Sequence, residues 1–262
     1  MSLRDRYGST VTVQRIRIAG DPVLHTPTRP VESFGAELRA LVADMFETMY
    51  VSQGVGLAAN QIGVDLRVFV YDCPDADGGW HLGTVVNPVV TASDPEEKTQ
   101  PENADPDDDL EGCLSVPGER YPTRRGAFAT VTGFDVDGNA VTVHGSGTLA
   151  RCFQHETDHL DGLLYLDRLT GEPAEDAKQM LVTRGWGGPG HSWQPELPEG
   201  ASGPIDRTTV LLGGTRERGP IAEPLAPGEP PVSKEPLGPG EPPMSKEPLV
   251  PGEPLGSKEP LG

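Results

Sequence analysis

The C-terminal end of the chain repeats with a period of twelve residues, which limits how much of the sequence can pack into a core. Residues 227–262 contain PGEPPVSKEPLG, PGEPPMSKEPLV and PGEPLGSKEPLG in succession. Each unit holds several prolines, which break helices and central strands, and lacks an apolar face on which the next unit could stack. We therefore expect a folded domain over residues 1–186 and a disordered, acidic Pro/Gly-rich tail over residues 187–262. Deleting the chain after about Gly190 is then expected to leave folding and activity intact.

Within residues 1–186, apolar periodicity predicts three helices, with strands between the first two. The first helix is expected around residues 38–49, after Ser33 as a cap and before Gly54 as a stop. The other two are expected from Ser146 or Thr148 to just before Gly162, and from about residue 173 to residue 184. Strand patterns occur at 66–71, 81–87, 127–135 and 140–143. This order predicts an α+β fold with antiparallel sheets rather than alternating βαβ units.

Composition excludes several classes of function. The net charge of −19 disfavours direct nucleic-acid binding, because phosphates would repel the protein. The three cysteines, Cys73, Cys113 and Cys152, are too few for a disulfide framework and fit a reducing cytoplasm. No apolar run approaches the ~18 residues of a membrane helix. The acidic stretch at 93–110 lacks the spacing of an EF-hand, so we interpret it as a solvated loop. No long apolar seam indicates an oligomer, so we expect a monomer.

Gln154-His155-Glu156-Thr157-Asp158-His159 contains an HExxH motif. On a helix, residues four apart lie on one face, so His155 and His159 can bind one metal ion. Glu156 can then act as a base on a metal-held water, which indicates hydrolysis of a carbonyl compound. Asp158 and Asp161 are nearby carboxylates that could orient a ligand imidazole. Phe153, Leu160 and Leu163 give this helix an apolar side that can seat it inside the domain.

A hydrolytic site needs a third protein ligand and one open position. One protease class uses a histidine six residues after the second, where this chain has Tyr165. A thermolysin-type glutamate would have to be Glu172 or Glu175, which lack a supporting pattern. Cys113, in EGCLSVPG, is a further candidate, because a neighbouring glycine lets the backbone approach a ligand and a metal-bound thiol is a thiolate. From that segment alone, a small buried hydrophobic cysteine is the favoured interpretation, because that is the more frequent role of a free cysteine.

A glycine-rich segment, GVGLAANQIG, occupies residues 54–63. It does not have the GxGxxG pattern of a dinucleotide site. Its small residues permit close approach to the backbone, and the amide of Gln61 could donate to a developing oxyanion. Taken alone, the segment is also explained as a helix end with a glycine-rich turn.

Together and in this order, GVGLAANQIG, EGCLSVPG and QHETDHLDG resemble the three motifs of the peptide deformylases. The resemblance covers roughly residues 13–184 and implies an α+β catalytic domain, in which antiparallel sheets pack around a C-terminal helix that supplies two histidine ligands to the metal. It also implies a metal-dependent hydrolase that removes the formyl group from N-terminal formyl-methionine of nascent peptides and releases formate. Such an enzyme takes part in co-translational processing in the cytoplasm and can contact the ribosome transiently. This chain has no basic patch for ribosomal RNA.

Residue by residue, the resemblance implies a role for each matching position. Cys113, His155 and His159 would hold the metal, and Glu156 would act first as base and then as acid. The Gln61 side chain and the Leu114 backbone N–H would stabilise the tetrahedral oxyanion. The methionine side chain and peptide backbone would be bound by the positions that match the family's substrate site: Val55, Gly56, Glu111, Gly112, Leu114, Arg120 and Cys152.

A thiolate with two imidazoles suits Fe²⁺, Co²⁺, Ni²⁺ or Zn²⁺, and the resemblance favours Fe²⁺ and oxygen-sensitive activity.

Two other functions are weighed against peptide deformylase activity. An HExxH endopeptidase is disfavoured because Tyr165 replaces the histidine ligand and EGCLS would have no role. An inactive homologue whose tail serves as an interaction module is disfavoured because every residue needed for chemistry is present. The acidic loop at 93–110 departs from the family pattern, and we hypothesise that it biases the enzyme against acidic peptides.

Overall fold

The computed structural model describes residues 11–95 and 110–196, which form an α+β fold with antiparallel sheets. Short 3-10 turns occur at Pro22–Leu24, Ala59–Ile62 and Tyr165–Arg168. The strands and α-helices follow in the order β1 (Ile16–Arg17), α1 (Ala36–Val51), β2 (Gly56–Ala58), β3 (Val68–Pro74), β4 (Trp80–Ala92), β5 (Leu110–Cys113), β6 (Val116–Pro122), β7 (Phe128–Phe134), β8 (Ala140–Ser146), α2 (Gly147–Leu160), α3 (Glu172–Arg184) and β9 (Ser192–Trp193).

The main sheet has the strand order β2-β3-β4-β7-β8, and every neighbouring pair is antiparallel. Successive residues of a strand point to opposite faces. In β3, Val68 and Val70 pack with α1, whereas Phe69 and Tyr71 pack with α2. The two helices therefore cover opposite faces of the sheet.

Helix α2 lies against all five strands of the main sheet. Three fully buried apolar side chains, Leu149, Phe153 and Leu160, form its packed face. The ring of Phe153 meets that of Tyr71 edge to face with centroids 5.2 Å apart. This packing fixes the rotation of α2 and therefore the direction of the polar side chains on its other face.

All three predicted helices are present among the described residues, with small differences at their ends. The cap of α1 is Gly35 instead of Ser33, and α2 begins after Ser146 as expected. The sequence patterns did not indicate β5 and β6. These strands contain Gly and Pro, which disfavour strands locally, and they form a separate two-stranded sheet in which proline is tolerated at an edge.

The domain boundary expected at residue 186 lies too early, because residues beyond it form part of the fold. Strand β9 pairs with β1 through Ile16 and Trp193, and Ile18 N–H donates to the carbonyl of His191 at 3.0 Å. A two-residue strand among glycines carries no periodic pattern, so sequence periodicity could not predict it. The repeats at 227–262 and most of the acidic loop, residues 96–109, lie outside the described residues.

None of the three α-helices in the described ranges combines the length and apolar character that a membrane crossing demands.

Candidate active site

Three side chains that can ligate a metal converge where α2 faces the β5–β6 hairpin. The Nε2 atoms of His155 and His159 are 3.2 Å apart, and the Cys113 sulfur lies 3.1 Å from His159 Nε2. All three ligand atoms lie within 4.8 Å of one another. Both imidazoles project from one face of α2, as the spacing of the motif predicted. The register of β5 and β6 shifts between Gly112 and Cys113, and such a bulge redirects a side chain out of its ladder.

The charges around these atoms fit a bound divalent cation. Burial lowers the pKa of His155, but the negative charges of Cys113 and Glu111 outweigh it and raise that pKa well above its ordinary value. Two anionic groups around one imidazole create a site that favours positive charge. Burial and the neighbouring His155 lower the pKa of His159, which keeps it in the neutral form that ligates. A thiolate with two imidazoles is a donor set that suits a divalent metal, so the chemistry of the cluster fits such an ion.

A carboxylate behind His155 sets the orientation of its ring. Glu111 Oε1 lies 2.6 Å from His155 Nδ1. Because an ionised carboxylate only accepts hydrogen bonds, Nδ1 carries the proton and Nε2 presents its lone pair to the metal site. Burial raises the pKa of Glu111, but the charges and hydrogen bonds of His155 and Arg125 lower it below its ordinary range, so the carboxylate is ionised.

The carboxylates expected to orient an imidazole were Asp158 and Asp161, and the structure corrects this expectation. Asp158 accepts instead from Arg125 Nη1 at 2.6 Å and from Arg168 Nη2 at 2.6 Å, while Asp161 pairs with Arg67 at 2.7 Å. Both aspartates are therefore engaged by these arginines. The orienting carboxylate, Glu111, is 44 residues away from His155 along the chain, so local spacing could not reveal it.

Glu156 follows His155 on α2, lines the same cavity as Cys113 and His155, and is 4% exposed. Burial, reinforced by the charge of Glu111, raises the pKa of Glu156 to about 7. Its Oε2 atom is buried and has no hydrogen-bond partner among the described residues. A buried carboxylate oxygen is stable only with a donor, and a water held at the metal would supply one. A carboxyl group that titrates near neutral pH can both accept and return a proton.

Gln61 presents an amide donor to the same site. Its Oε1 accepts from the N–H of Ala58 at 2.8 Å, which fixes which way the amide faces. Its Nε2 consequently points to the Cys113 sulfur at 3.6 Å and to the Ser115 hydroxyl at 3.3 Å. The 3-10 turn that carries Gln61 is attached to α2 by a hydrogen bond from the neighbouring Asn60 to the carbonyl of His159. The amide is therefore a preorganised donor beside the metal site.

An open cleft of about 650 Å³ leads to these groups. Every residue expected at the substrate site lines it: Val55, Gly56, Glu111, Gly112, Leu114, Arg120 and Cys152. The carboxylate of Glu111 is hydrogen-bonded to His155 and Arg125, so this group is engaged by the protein itself. At Gly56, any side chain would collide with the carboxylate of Glu156, which explains the glycine.

The other candidate ligands are excluded by their positions. Tyr165 is 1% exposed, its hydroxyl donates to the carbonyl of Glu119, and its ring centroid lies 6.1 Å from that of His155. Glu172 and Glu175 lie in the first turn of α3, and Glu175 pairs with Lys178 at 2.7 Å. Sequence reasoning missed Arg125, which contacts Glu111, and Trp193, which lines the cleft from β9.

Comparison with known proteins gives consistent matches. The profile of the family described as Polypeptide deformylase matches residues 13–174. A peptide deformylase of Mycobacterium sp. (strain JLS) is 56% identical over 71% of this chain and 95% of the relative. A peptide deformylase of Rhodococcus opacus (strain B4) is 54% identical over 73% of this chain and 97% of the relative.

Solved structures agree with these relatives. A peptide deformylase from Legionella pneumophila has a TM-score of 0.56 and 36% identity, and the match covers 66% of this chain and 96% of that one. A peptide deformylase from Synechococcus elongatus in complex with actinonin has a TM-score of 0.57 and 28% identity over 71% of this chain and 94% of that one. The similarity therefore spans the folded domain and nearly the full length of each of these relatives.

Proposed function

The chain belongs to the polypeptide deformylase family, and from that premise we propose that it hydrolyses the N-formyl group of N-terminal formyl-methionine in newly made proteins and releases formate. The observation that carries this proposal is the convergence of Cys113, His155 and His159 with the base Glu156 and the amide donor Gln61. Glu156, Gln61, Cys113 and His155 all line one cleft.

The chain's own residues divide the chemistry among them. A bound divalent metal would polarise the formyl carbonyl and lower the pKa of a water molecule. Glu156 accepts a proton from the attacking water and then delivers it to the leaving amine. Gln61 Nε2 and the backbone N–H of Leu114 donate to the oxyanion as the formyl carbon becomes tetrahedral. Glu111 keeps His155 oriented throughout the cycle.

The cleft supplies the substrate contacts. We assign the methionine side chain and the peptide backbone to Val55, Gly56, Gly112, Leu114, Arg120 and Cys152, together with the backbone of Glu111. Arg120 is exposed at the mouth and donates to the carbonyl of Leu110 at 3.0 Å. The absence of a side chain at Gly56 leaves room for a peptide backbone close to Glu156.

We assign Fe²⁺ as the resident ion, with Zn²⁺, Ni²⁺ and Co²⁺ as replacements that the same donors accept. The substrate is a nascent chain, so we place the enzyme in the cytoplasm, as a monomer in transient contact with the ribosome.

Product analysis tests this function. Formyl-Met-Ala-Ser is incubated anaerobically with the Fe²⁺-loaded protein. The formate released and the new amino termini are each quantified in the same samples. Equal amounts of formate and free Met-Ala-Ser are expected, and the peptide bonds should stay intact. Cleavage inside longer unformylated peptides would instead identify an HExxH endopeptidase, and no formate with Fe²⁺, Ni²⁺ or Zn²⁺ would identify an inactive homologue.

A further inference from the structure

Trp193 belongs to strand β9, which lies after the region matched by the family profile, residues 13–174. Pairing of β9 with β1 brings its indole to the wall of the cleft, next to Leu114. The indole Nε1–H donates a hydrogen bond to the carbonyl of Leu114 at 2.9 Å. A residue near the C-terminal end of the described chain therefore reaches the segment that follows the metal ligand Cys113.

The carbonyl of Leu114 and the N–H of Ser115 belong to one peptide unit, and both are engaged. The N–H of Ser115 donates to the sulfur of Cys113 at 3.3 Å. At the opposite edge of the same planar unit, the carbonyl of Leu114 accepts a hydrogen bond from Trp193. Because a peptide unit is planar, fixing the carbonyl also fixes the direction of the N–H. A continuous path of hydrogen bonds thus joins the indole of Trp193 to the ligand sulfur.

This path has two physical consequences. Hydrogen bonds in series polarise one another, so the indole strengthens the Ser115 N–H as a donor to sulfur, by roughly 10–30% in condensed-phase estimates. Donors to a ligand sulfur tune its electron density and thereby the bound metal. The same contact restrains the backbone just after Leu114, whose N–H is assigned to the oxyanion.

We propose that Trp193 is a positioning residue for deformylation, acting through the Leu114–Ser115 peptide unit on Cys113 and on the oxyanion donor. The inference rests on the proposed function for its kinetic consequence, but its effect on the sulfur does not depend on turnover. A purely structural role is the competing explanation, because the indole also packs against two groups of buried apolar residues.

The substitution Trp193→Phe tests this, since it keeps an aromatic ring at the packed position while removing the N–H together with part of the indole, and thermal unfolding reports the loss of packing separately. The matched control is Gln194→Ala, which loses a hydrogen bond from Gln194 to the carbonyl of Val13 in the same segment and leaves the indole in place. Both variants are prepared as the full chain and loaded with Co²⁺. Their sulfur-to-cobalt charge-transfer absorption, thermal unfolding and formate release are measured beside the wild type.

In Trp193→Phe, the charge-transfer band should move to lower energy, because a more weakly hydrogen-bonded thiolate is easier to oxidise. Its kcat should fall roughly three- to tenfold, as expected from loss of one neutral hydrogen bond, with KM nearly unchanged. Gln194→Ala should match the wild type in the energy of the charge-transfer band and in kcat. An unshifted band in Trp193→Phe overturns the proposal, and so do equal kinetic losses in the two variants. A wild type that releases no formate contradicts the proposed function instead, and the band shift still decides the role of Trp193.

Discussion

Replacing Glu111 with glutamine separates two tasks that this carboxylate performs. Its side chain is 3% exposed, and it accepts from His155 Nδ1 at 2.6 Å and from Arg125 through two bonds of 3.0 and 2.7 Å. Arg151 contacts it as well, at 3.3 Å. Glutamine preserves the size and one acceptor oxygen but removes the charge. The substitution should therefore weaken both the orientation of His155 and the ion pair with Arg125.

The two losses have different magnitudes. Arg125 is 6% exposed, and removing one partner of a buried ion pair costs about 3–5 kcal/mol. Because Arg125 keeps Asp158 and the glutamine oxygen, we expect about 3 kcal/mol less free energy of unfolding. Loss of a charged partner behind a ligand histidine should lower metal affinity by roughly 10- to 100-fold. The pKa of Glu111 is lowered from its ordinary 4.5, so its ionic contribution is complete above that pH and disappears only at lower pH. Measurements at pH ~7 therefore contain it in full.

Asp158→Asn is the matched control, because it removes a charge from the same Arg125 without touching His155. Urea unfolding of the metal-free proteins gives the stability, and competition with a chelator gives the Zn²⁺ affinity. We expect both variants to be destabilised by similar amounts, and only Glu111→Gln to lose metal affinity. If Glu111→Gln binds Zn²⁺ as tightly as Asp158→Asn does, the orienting role assigned to Glu111 is refuted.

Three further predictions concern the metal and the chain end. Cys113→Ser should reduce metal affinity by more than the ~10- to 100-fold expected for Glu111→Gln, since a hydroxyl is a poor metal ligand. Equilibrium dialysis measures this affinity. The Fe²⁺ form should lose activity in air while the Zn²⁺ form keeps it, and equal survival would argue against iron as the resident ion. Truncation after Glu196 should preserve stability and turnover. Truncation after Gly190, which the sequence alone suggested would be harmless, removes β9 and should cost roughly 2 kcal/mol and most activity, as judged by thermal unfolding and formate release.

The helical parts of this fold were predictable from sequence because their information is local. Apolar spacing places α1, α2 and α3 within a few residues, and the HExxH motif places His155 and His159 on one face of α2. The third ligand, Cys113, was not determined by local pattern, because a buried free cysteine looks the same in sequence. Only its combination with two other motifs, in order, distinguished it.

The remaining features depend on contacts between distant parts of the chain. The hydrogen bond between Glu111 and His155 joins residues 44 apart, so the nearer carboxylate Asp158 was the natural but incorrect choice. Trp193 lies in a two-residue strand that exists only because β1 pairs with it. Neither contact leaves a periodic trace in the sequence, because each joins residues that are far apart along the chain.

The central claim is that Glu156 moves the proton while Cys113, His155 and His159 hold the metal. It is tested most directly by formate release from formyl-Met-Ala-Ser by the wild type and Glu156→Gln, each assayed anaerobically at the same measured metal content. We predict that the substitution lowers kcat by roughly 10²- to 10⁴-fold without loss of metal. A Glu156→Gln protein that retains its metal and turns over at a rate close to that of the wild type would contradict the account.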